Sequence, residues 1–170
     1  MLQRILQKKR MEEVYLLLGS NLGDSKKYLS DAVKLIEDQI GPILSSSSLY
    51  QTESWGKTGQ PDFINQVVSL RTNLNPRQLL EKILNIETQL GRRRVERWGS
   101  RIIDIDILFF GQQRVQEKDL IIPHPFLHLR RFTLIPLCEI NPELYHPVLK
   151  ENVGDLLDKL DDNLSVKKLT

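Results

Sequence analysis

Ile102-Ile103-Asp104-Ile105-Asp106-Ile107-Leu108-Phe109-Phe110 is the stretch around which the rest of the chain organises itself. β-Branched and aromatic residues dominate it and Gly111 begins a turn, so it reads as a strand. Side chains two apart on a strand share a face, which sends Asp104 and Asp106 out together while Ile103, Ile105 and Ile107 face the core. Upstream, Leu79, Ile83, Ile86 and Leu90 recur at helical spacing behind Asn75-Pro76, a cap followed by proline at the first helical position, and Gly91 closes that helix. Phe63–Arg71 reads as a strand, and Gln51–Asp62, punctuated by Gly56, Gly59 and Pro61, as a loop. Before them Ile43–Tyr50 is strand-like despite four consecutive serines. Leu29, Ala32, Val33, Ile36 and Ile40 mark a helix capped by Asp24 and stopped by Gly41-Pro42. Val14–Leu18 is a short buried strand, and Gly19–Asp24 is the turn that follows it.

The order is strand, helix, strand, strand, helix, strand: two split βαβ units. The expected fold is therefore α+β with a ferredoxin-like βαββαβ core, an antiparallel sheet with helices packed on it, and extra C-terminal strands and helices. Pro123, Pro125, Pro136 and Pro142 break the last third into short pieces, with a helical turn or two around Phe132–Glu139 and an amphipathic helix over Val153–Leu160. At 170 residues one domain is the default; residues 1–11 are expected to form a flexible basic extension and 12–170 a single domain. Hydrophobic residues at 40% and charged residues at 27% exclude a disordered or collagen-like chain. Apolar runs such as Val14–Leu18 fall far short of the ~20 residues of a membrane span. One cysteine, Cys138, excludes an internal disulfide framework and suits a cytoplasmic protein.

The formal net charge is only +2, but it is unevenly spread. Arg92, Arg93, Arg94, Arg97 and Arg101 occupy the loop just before Asp104 and Asp106, opposed there by Glu96 alone. Two carboxylates side by side repel unless a cation lies between them, and hard oxygen ligands paired this way suit Mg²⁺ with phosphate oxygens completing its shell. Guanidinium groups match phosphate oxygens in a bidentate fork. Taken singly, an Asp-x-Asp fits an ordinary half-buried strand and an arginine run fits a solvated or nucleic-acid-binding loop. Together they fit a triphosphate with Mg²⁺ better, since the acids would repel a bare nucleic-acid backbone. Glu87, at the edge of the second helix's apolar stripe, suits a ligand or a salt bridge to Arg94 or Arg97. Pro123-His124-Pro125 with Arg130, Arg131 and Phe132 adds a proton donor, two cations and an aromatic plate. The Gly19–Gly23 loop lacks a P-loop's Gly-Lys-Ser/Thr ending and reads as turn chemistry.

The run Arg97-Trp98-Gly99-Ser100-Arg101-Ile102-Ile103-Asp104-Ile105-Asp106-Ile107-Leu108 resembles the signature of the 6-hydroxymethyl-7,8-dihydropterin pyrophosphokinase family. Leu18–Asp24, Gln60–Gln66 and Pro123-His124-Pro125 with Arg130 and Phe132 fall in the family's order, and the resemblance covers about Glu12 to Pro147. It implies a cytoplasmic, monomeric enzyme of folate biosynthesis that moves the β,γ-diphosphate of ATP to the pterin's hydroxymethyl group, releasing AMP, with no nucleic-acid or membrane partner. It also implies two Mg²⁺ ions held by Asp104 and Asp106, with Arg94 and Arg101 joining them in catalysis. Glu87, Arg94, Arg101, Ile107, His124 and Arg130 would line the nucleotide. Thr52, Ser54, Trp55, Phe63, Asn65 and Phe132 would hold the pterin, with Phe63 and Phe132 stacking on it. Trp55, Arg92, Arg93 and Trp98 would lie on loops that close over both substrates. Ser54 and Ser100 stand where many relatives carry proline. The rival readings are another two-metal nucleotidyl transferase and a ferredoxin-like RNA-binding module, the latter weakened by the lack of an RNA-binding signature on the strands.

Overall fold

The computed structural model describes residues 11–54, 59–92 and 100–170. Its first half runs β1 (Glu12–Ser20), α1 (Ser25–Gln39), β2 (Ile43–Ser46), β3 (Tyr50–Thr52), β4 (Phe63–Thr72), α2 (Pro76–Gln89) and β5 (Asp104–Phe110). The remainder comprises β6 (Val115–Gln116), β7 (Ile121–Ile122), α3 (Arg131–Ile140), β8 (Tyr145–His146), β9 (Glu151–Asn152), α4 (Val153–Asp158) and β10 (Val166–Lys168). The main sheet has the order β10-β3-β4-β1-β5, with β2 also on β4, and its pairings are antiparallel. This is the ferredoxin-like arrangement expected from the element order, extended at one edge by β10. No helix among the described residues is long and apolar enough to cross a membrane.

The helices begin where the capping chemistry places them. Asp24 accepts from the Lys27 amide ahead of α1. Asn75 and Gln78 form a reciprocal capping box with Pro76 at the start of α2. Leu29, Ala32 and Ile36 of α1 and Leu79, Ile83 and Ile86 of α2 pack on one face of the sheet, against Leu16, Leu18, Val68, Leu70, Ile105 and Ile107. On the other face Leu134 and Leu137 of α3 and Val153 and Leu156 of α4 cover Tyr15, Leu17, Val67, Leu108 and Phe109. A register shift between Tyr15 and Leu16 sets Leu108 as an extra residue on β5, so Leu108 and Phe109 both turn to the α3 side.

Three elements depart from the sequence reading. The strand expected over Ile43–Tyr50 is divided, because Ser47 leaves the ladder and its Oγ accepts from the Val67 amide while its own amide donates to the Val67 carbonyl. α3 runs through Pro136, although that residue has no N–H to offer the Phe132 carbonyl. The C-terminal helix ends at Asp158, earlier than Leu160, and β10 follows it as one of the extra C-terminal strands. The last segment supports α3: the Asp162 carboxylate accepts from the Arg131 amide at its N-terminus. Glu139 near its other end accepts from Ser48 and the Tyr50 hydroxyl and meets Lys168 of β10.

His146 is 4% exposed, packs edge-on against Phe109, and accepts at Nδ1 from the amides of Val148 and Leu149. Burial, aided by nearby His128, lowers its pKa to about 4. The unfolded chain therefore takes up this proton first as pH falls, so the contribution to stability is complete above about 6.5 and is lost towards 4. His146→Asn, which keeps an acceptor but does not titrate, is expected to flatten the fall in stability between pH 6.5 and 4.5 by roughly 2 kcal/mol, measured by urea unfolding at several pH values.

Candidate active site

The sheet face that carries α3 also gathers most of the chemistry-bearing residues. Tyr50 pairs with Asn65, Asn65 with Gly19, and Gly19 with Asp104, so one row crosses β3, β4, β1 and β5. Directly opposed residues share a face, and the strand spacing sets Asn65 about 10 Å from Asp104 along this row. Asp106 follows two residues on and Phe63 two residues back, both on the same face. Gly19 lies between the two halves for a steric reason. A Cβ there would stand 2.6 Å from Asn65 Oδ1, so only glycine lets the Asn65 amide lie over β1.

On the β5 side, Asp104 is bound by two guanidinium groups. Arg92 Nη1 lies 2.8 Å from its Oδ1, and Arg101 Nη1 pairs with its Oδ2. Arg92 Nη1 also contacts Glu87 Oε1 at 2.5 Å. Arg92 is thus a partner of Glu87 among the described residues; the expected Arg94 and Arg97 lie outside them. Gly91, at φ +92°, turns the chain after α2 so that Arg92 folds back on the helix. Glu87, 3% exposed, accepts the Ile105 amide at 2.8 Å and so covers the outer edge of β5. Burial raises its pKa, opposed by Arg92. Burial also works against the charge of Arg92, but Asp104 and Glu87 outweigh it and hold the guanidinium protonated.

Asp106 is the more strained of the two acids electrostatically. Burial, then the charge of Asp104, raises its pKa to about 7, while Arg130 and Arg101 pull it down. His124 Nε2 lies 4.0 Å from Asp106 Oδ2, too far for a hydrogen bond. Burial and the nearby Arg130 lower the His124 pKa to about 4, so the ring is neutral near pH 7. Its Nδ1 accepts from the Phe126 amide at 3.2 Å, which leaves the proton on Nε2 facing the acids. His124 thus presents a neutral Nε2–H towards the acids. The Arg130 guanidinium lies 5.3 Å from the Phe126 ring and 5.6 Å from the Phe132 ring.

On the β4 side, Asn65 is 4% exposed and its Nδ2 donates to Thr52 Oγ1 at 2.6 Å. Thr52 pairs with Phe63 across the ladder, and Phe63 and Phe132 are both half-buried. Ser54 lies beyond β3, where its hydroxyl is 3.5 Å from Gln60 Oε1. Ile107, expected beside the nucleotide, points its side chain into the helix-side core at 6% exposure, on the face opposite Asp106. Trp55, Arg93, Arg94 and Trp98 lie outside the described residues. Sequence reasoning reads the Gly19–Gly23 loop as turn chemistry within a family block and misses the steric role of Gly19 opposite Asn65.

Two oxygen-only carboxylates on one strand face, with guanidinium groups already neutralising one of them, form a donor set for a hard divalent cation. Among the described residues, no three His, Cys, Asp or Glu side chains gather to hold a metal on protein ligands alone. A cation here would need further oxygens, such as those of a polyphosphate. The residues fit Mg²⁺ held jointly with such a ligand.

Comparison with known proteins bears on this arrangement. Residues 15–142 match the family model described as 7,8-dihydro-6-hydroxymethylpterin-pyrophosphokinase. A 2-amino-4-hydroxy-6-hydroxymethyldihydropteridine pyrophosphokinase of Methylorubrum extorquens is 43% identical over 152 residues, which cover 89% of this chain and 95% of the relative. The protein of that name from Aquifex aeolicus is 40% identical over 141 residues, covering 83% and 88%. Among solved structures, wild-type HPPK-DHPS of Plasmodium falciparum with pterin and p-hydroxybenzoate superposes with a TM-score of 0.72 at 20% identity. That match covers 91% of this chain but only 42% of the longer protein, and it is a likeness of fold. On the extent of the family match and the identity to full-length relatives, the chain belongs to the 7,8-dihydro-6-hydroxymethylpterin-pyrophosphokinase family.

Proposed function

We propose that the protein transfers the β,γ-diphosphate of ATP to the hydroxymethyl group of 6-hydroxymethyl-7,8-dihydropterin, giving AMP and the pterin diphosphate, in tetrahydrofolate biosynthesis. The observation that carries this reading, beside family membership, is the row Asn65–Gly19–Asp104, which sets an amide suited to a pterin edge beside paired acids suited to a metal-bound polyphosphate. The Asn65 amide offers both a donor and an acceptor to the ring's amide-like edge, with Thr52 fixing its orientation. Phe63 and Phe132 supply flat apolar surfaces for stacking on the bicycle.

Asp104 and Asp106 would hold Mg²⁺, two ions by family resemblance, with the phosphates. The bound metal would neutralise charge on the diphosphate and on the departing AMP. Arg101 and Arg92 already face Asp104 and would turn to phosphate oxygens as the metal replaced them at the carboxylate. Arg94 is assigned to the same task. Neutral His124 donates from Nε2 to a phosphate oxygen, and Arg130, held over two aromatic rings, adds a fixed positive charge. The hydroxymethyl oxygen attacks the β-phosphorus, its O–H proton passes to solvent water, and the bond from that phosphorus to the α,β-bridging oxygen breaks with both electrons passing to AMP. The reading is of a monomer in the cytoplasm, with 12–170 as one catalytic domain. The single domain is supported by β10 joining the same sheet as β1.

Purified protein with Mg-ATP and the pterin is expected to release AMP, not ADP, in a pterin-dependent assay resolved by chromatography. Asp104→Ala and Asp106→Ala should each lower turnover at least about 100-fold while the circular dichroism spectrum is retained; wild-type turnover in either variant would remove the metal assignment. Gly19→Ala should displace the Asn65 amide and weaken pterin binding about tenfold, with little change in melting temperature, as read by calorimetric titration.

A further inference from the structure

Asn21 lies immediately beyond β1, 5% exposed, where the chain leaves the Gly19 row. Its hydrogen bonds run in two directions. Its backbone amide donates to the Arg101 carbonyl at 3.0 Å, and its Oδ1 accepts from the Arg101 amide at 2.8 Å. Its Nδ2 donates to the Pro61 carbonyl at 3.1 Å. One side chain therefore fixes the residue that pairs with Asp104 and, 40 positions earlier, the approach to Phe63 and Asn65.

The two arms serve different halves of the site. Arg101 leads three residues later into Asp104, and its guanidinium meets that carboxylate. Pro61 leads two residues later into Phe63 at the start of β4, and Asn65 follows on the same face. The carboxamide suits this double task because it presents an acceptor and a donor about 2 Å apart on one rigid plane. A carboxylate has no donor for Pro61, and serine is too short to reach both backbones.

We infer that Asn21 is a positioning residue that holds the metal–nucleotide half and the pterin half of the site in register, so that its side chain couples the binding of the two substrates. The inference rests on the functional reading above. Asn21 touches neither reacting group as placed here; it acts through the Arg101 backbone and through Pro61.

Asn21→Asp separates the arms, since Oδ1 remains for the Arg101 amide while the donor to Pro61 is lost. Asn21→Ala removes both side-chain bonds and keeps the backbone bond to Arg101. The experiment measures calorimetric affinity for the pterin, with and without Mg²⁺ and a non-hydrolysable ATP analogue, together with kcat, both KM values and melting temperature. For Asn21→Asp we expect pterin affinity in the presence of the analogue to fall about tenfold, with the analogue's own affinity within about twofold of wild type. For Asn21→Ala both affinities should fall, and the analogue's effect on pterin affinity should shrink about tenfold. Wild-type coupling in both variants would overturn the inference. So would equal loss of both affinities in Asn21→Asp, or losses that follow melting temperature alone. If the wild-type protein itself binds no pterin and releases no AMP, the functional reading fails and the assignment of Asn21 falls with it.

Discussion

Period-two alternation along β5 is the constraint on which the site depends. A strand with Ile103, Ile105 and Ile107 buried against the helices must present Asp104 and Asp106 to the opposite face. The same strand must then bury Leu108 and Phe109 under α3 and α4, and the bulge at Leu108 makes that possible by inserting one residue against β1. Because β5, β1, β4 and β3 pair antiparallel and the Gly19 row lies outside the bulge, the choice of face made by β5 extends through Gly19 to Asn65 and Thr52. A one-residue slip of β5 would bury both acids and expose the isoleucines.

Placing two carboxylates two residues apart at the rim of a core has an electrostatic cost, and the surrounding residues show how it is met. Arg92 and Arg101 neutralise Asp104 directly, while Arg130 opposes the rise in the Asp106 pKa. Glu87 balances Arg92 and at the same time binds the Ile105 amide, so the helix that carries it fixes both the strand edge and the arginine. The His124 amide binds the Leu108 carbonyl at 3.0 Å on that same strand, and the ring is held neutral by burial. Cationic groups are thus gathered at the two acids without any ligand, and the proposed reaction has Arg92 and Arg101 exchange Asp104 for phosphate oxygens.

Much of this was legible in the sequence where a local rule acts alone. Asp24 and Asn75-Pro76 marked helix starts, and the helical spacing of Leu29, Ala32 and Ile36 and of Leu79, Ile83 and Ile86 marked the buried stripes. The alternation around Asp104 gave the shared face. What escaped depends on contacts distant in sequence. Ser47 divides the β2–β3 segment because Val67 offers it backbone partners, and nothing in the serine run indicates this. The place of β10 depends on the edge that β3 offers it. The pairing of Glu87 with Arg92 follows from the turn at Gly91, and the two-way bonding of Asn21 needs Pro61 and Arg101 brought together in space. Ile107 was carried to the nucleotide by family resemblance, whereas its side chain obeys the strand's alternation.

The proposed reaction requires pterin and polyphosphate to meet on one sheet face, on either side of Gly19. The most direct measurement is a crystal structure of the protein with Mg²⁺, a non-hydrolysable ATP analogue and 6-hydroxymethyl-7,8-dihydropterin. Expected there are the pterin edge on Asn65 and Thr52, the metal on Asp104 and Asp106, and the hydroxymethyl oxygen about 3–3.5 Å from the β-phosphorus. A pterin bound away from the Asn65 face, or phosphates seated without contact to the two aspartates or their metal, would contradict it.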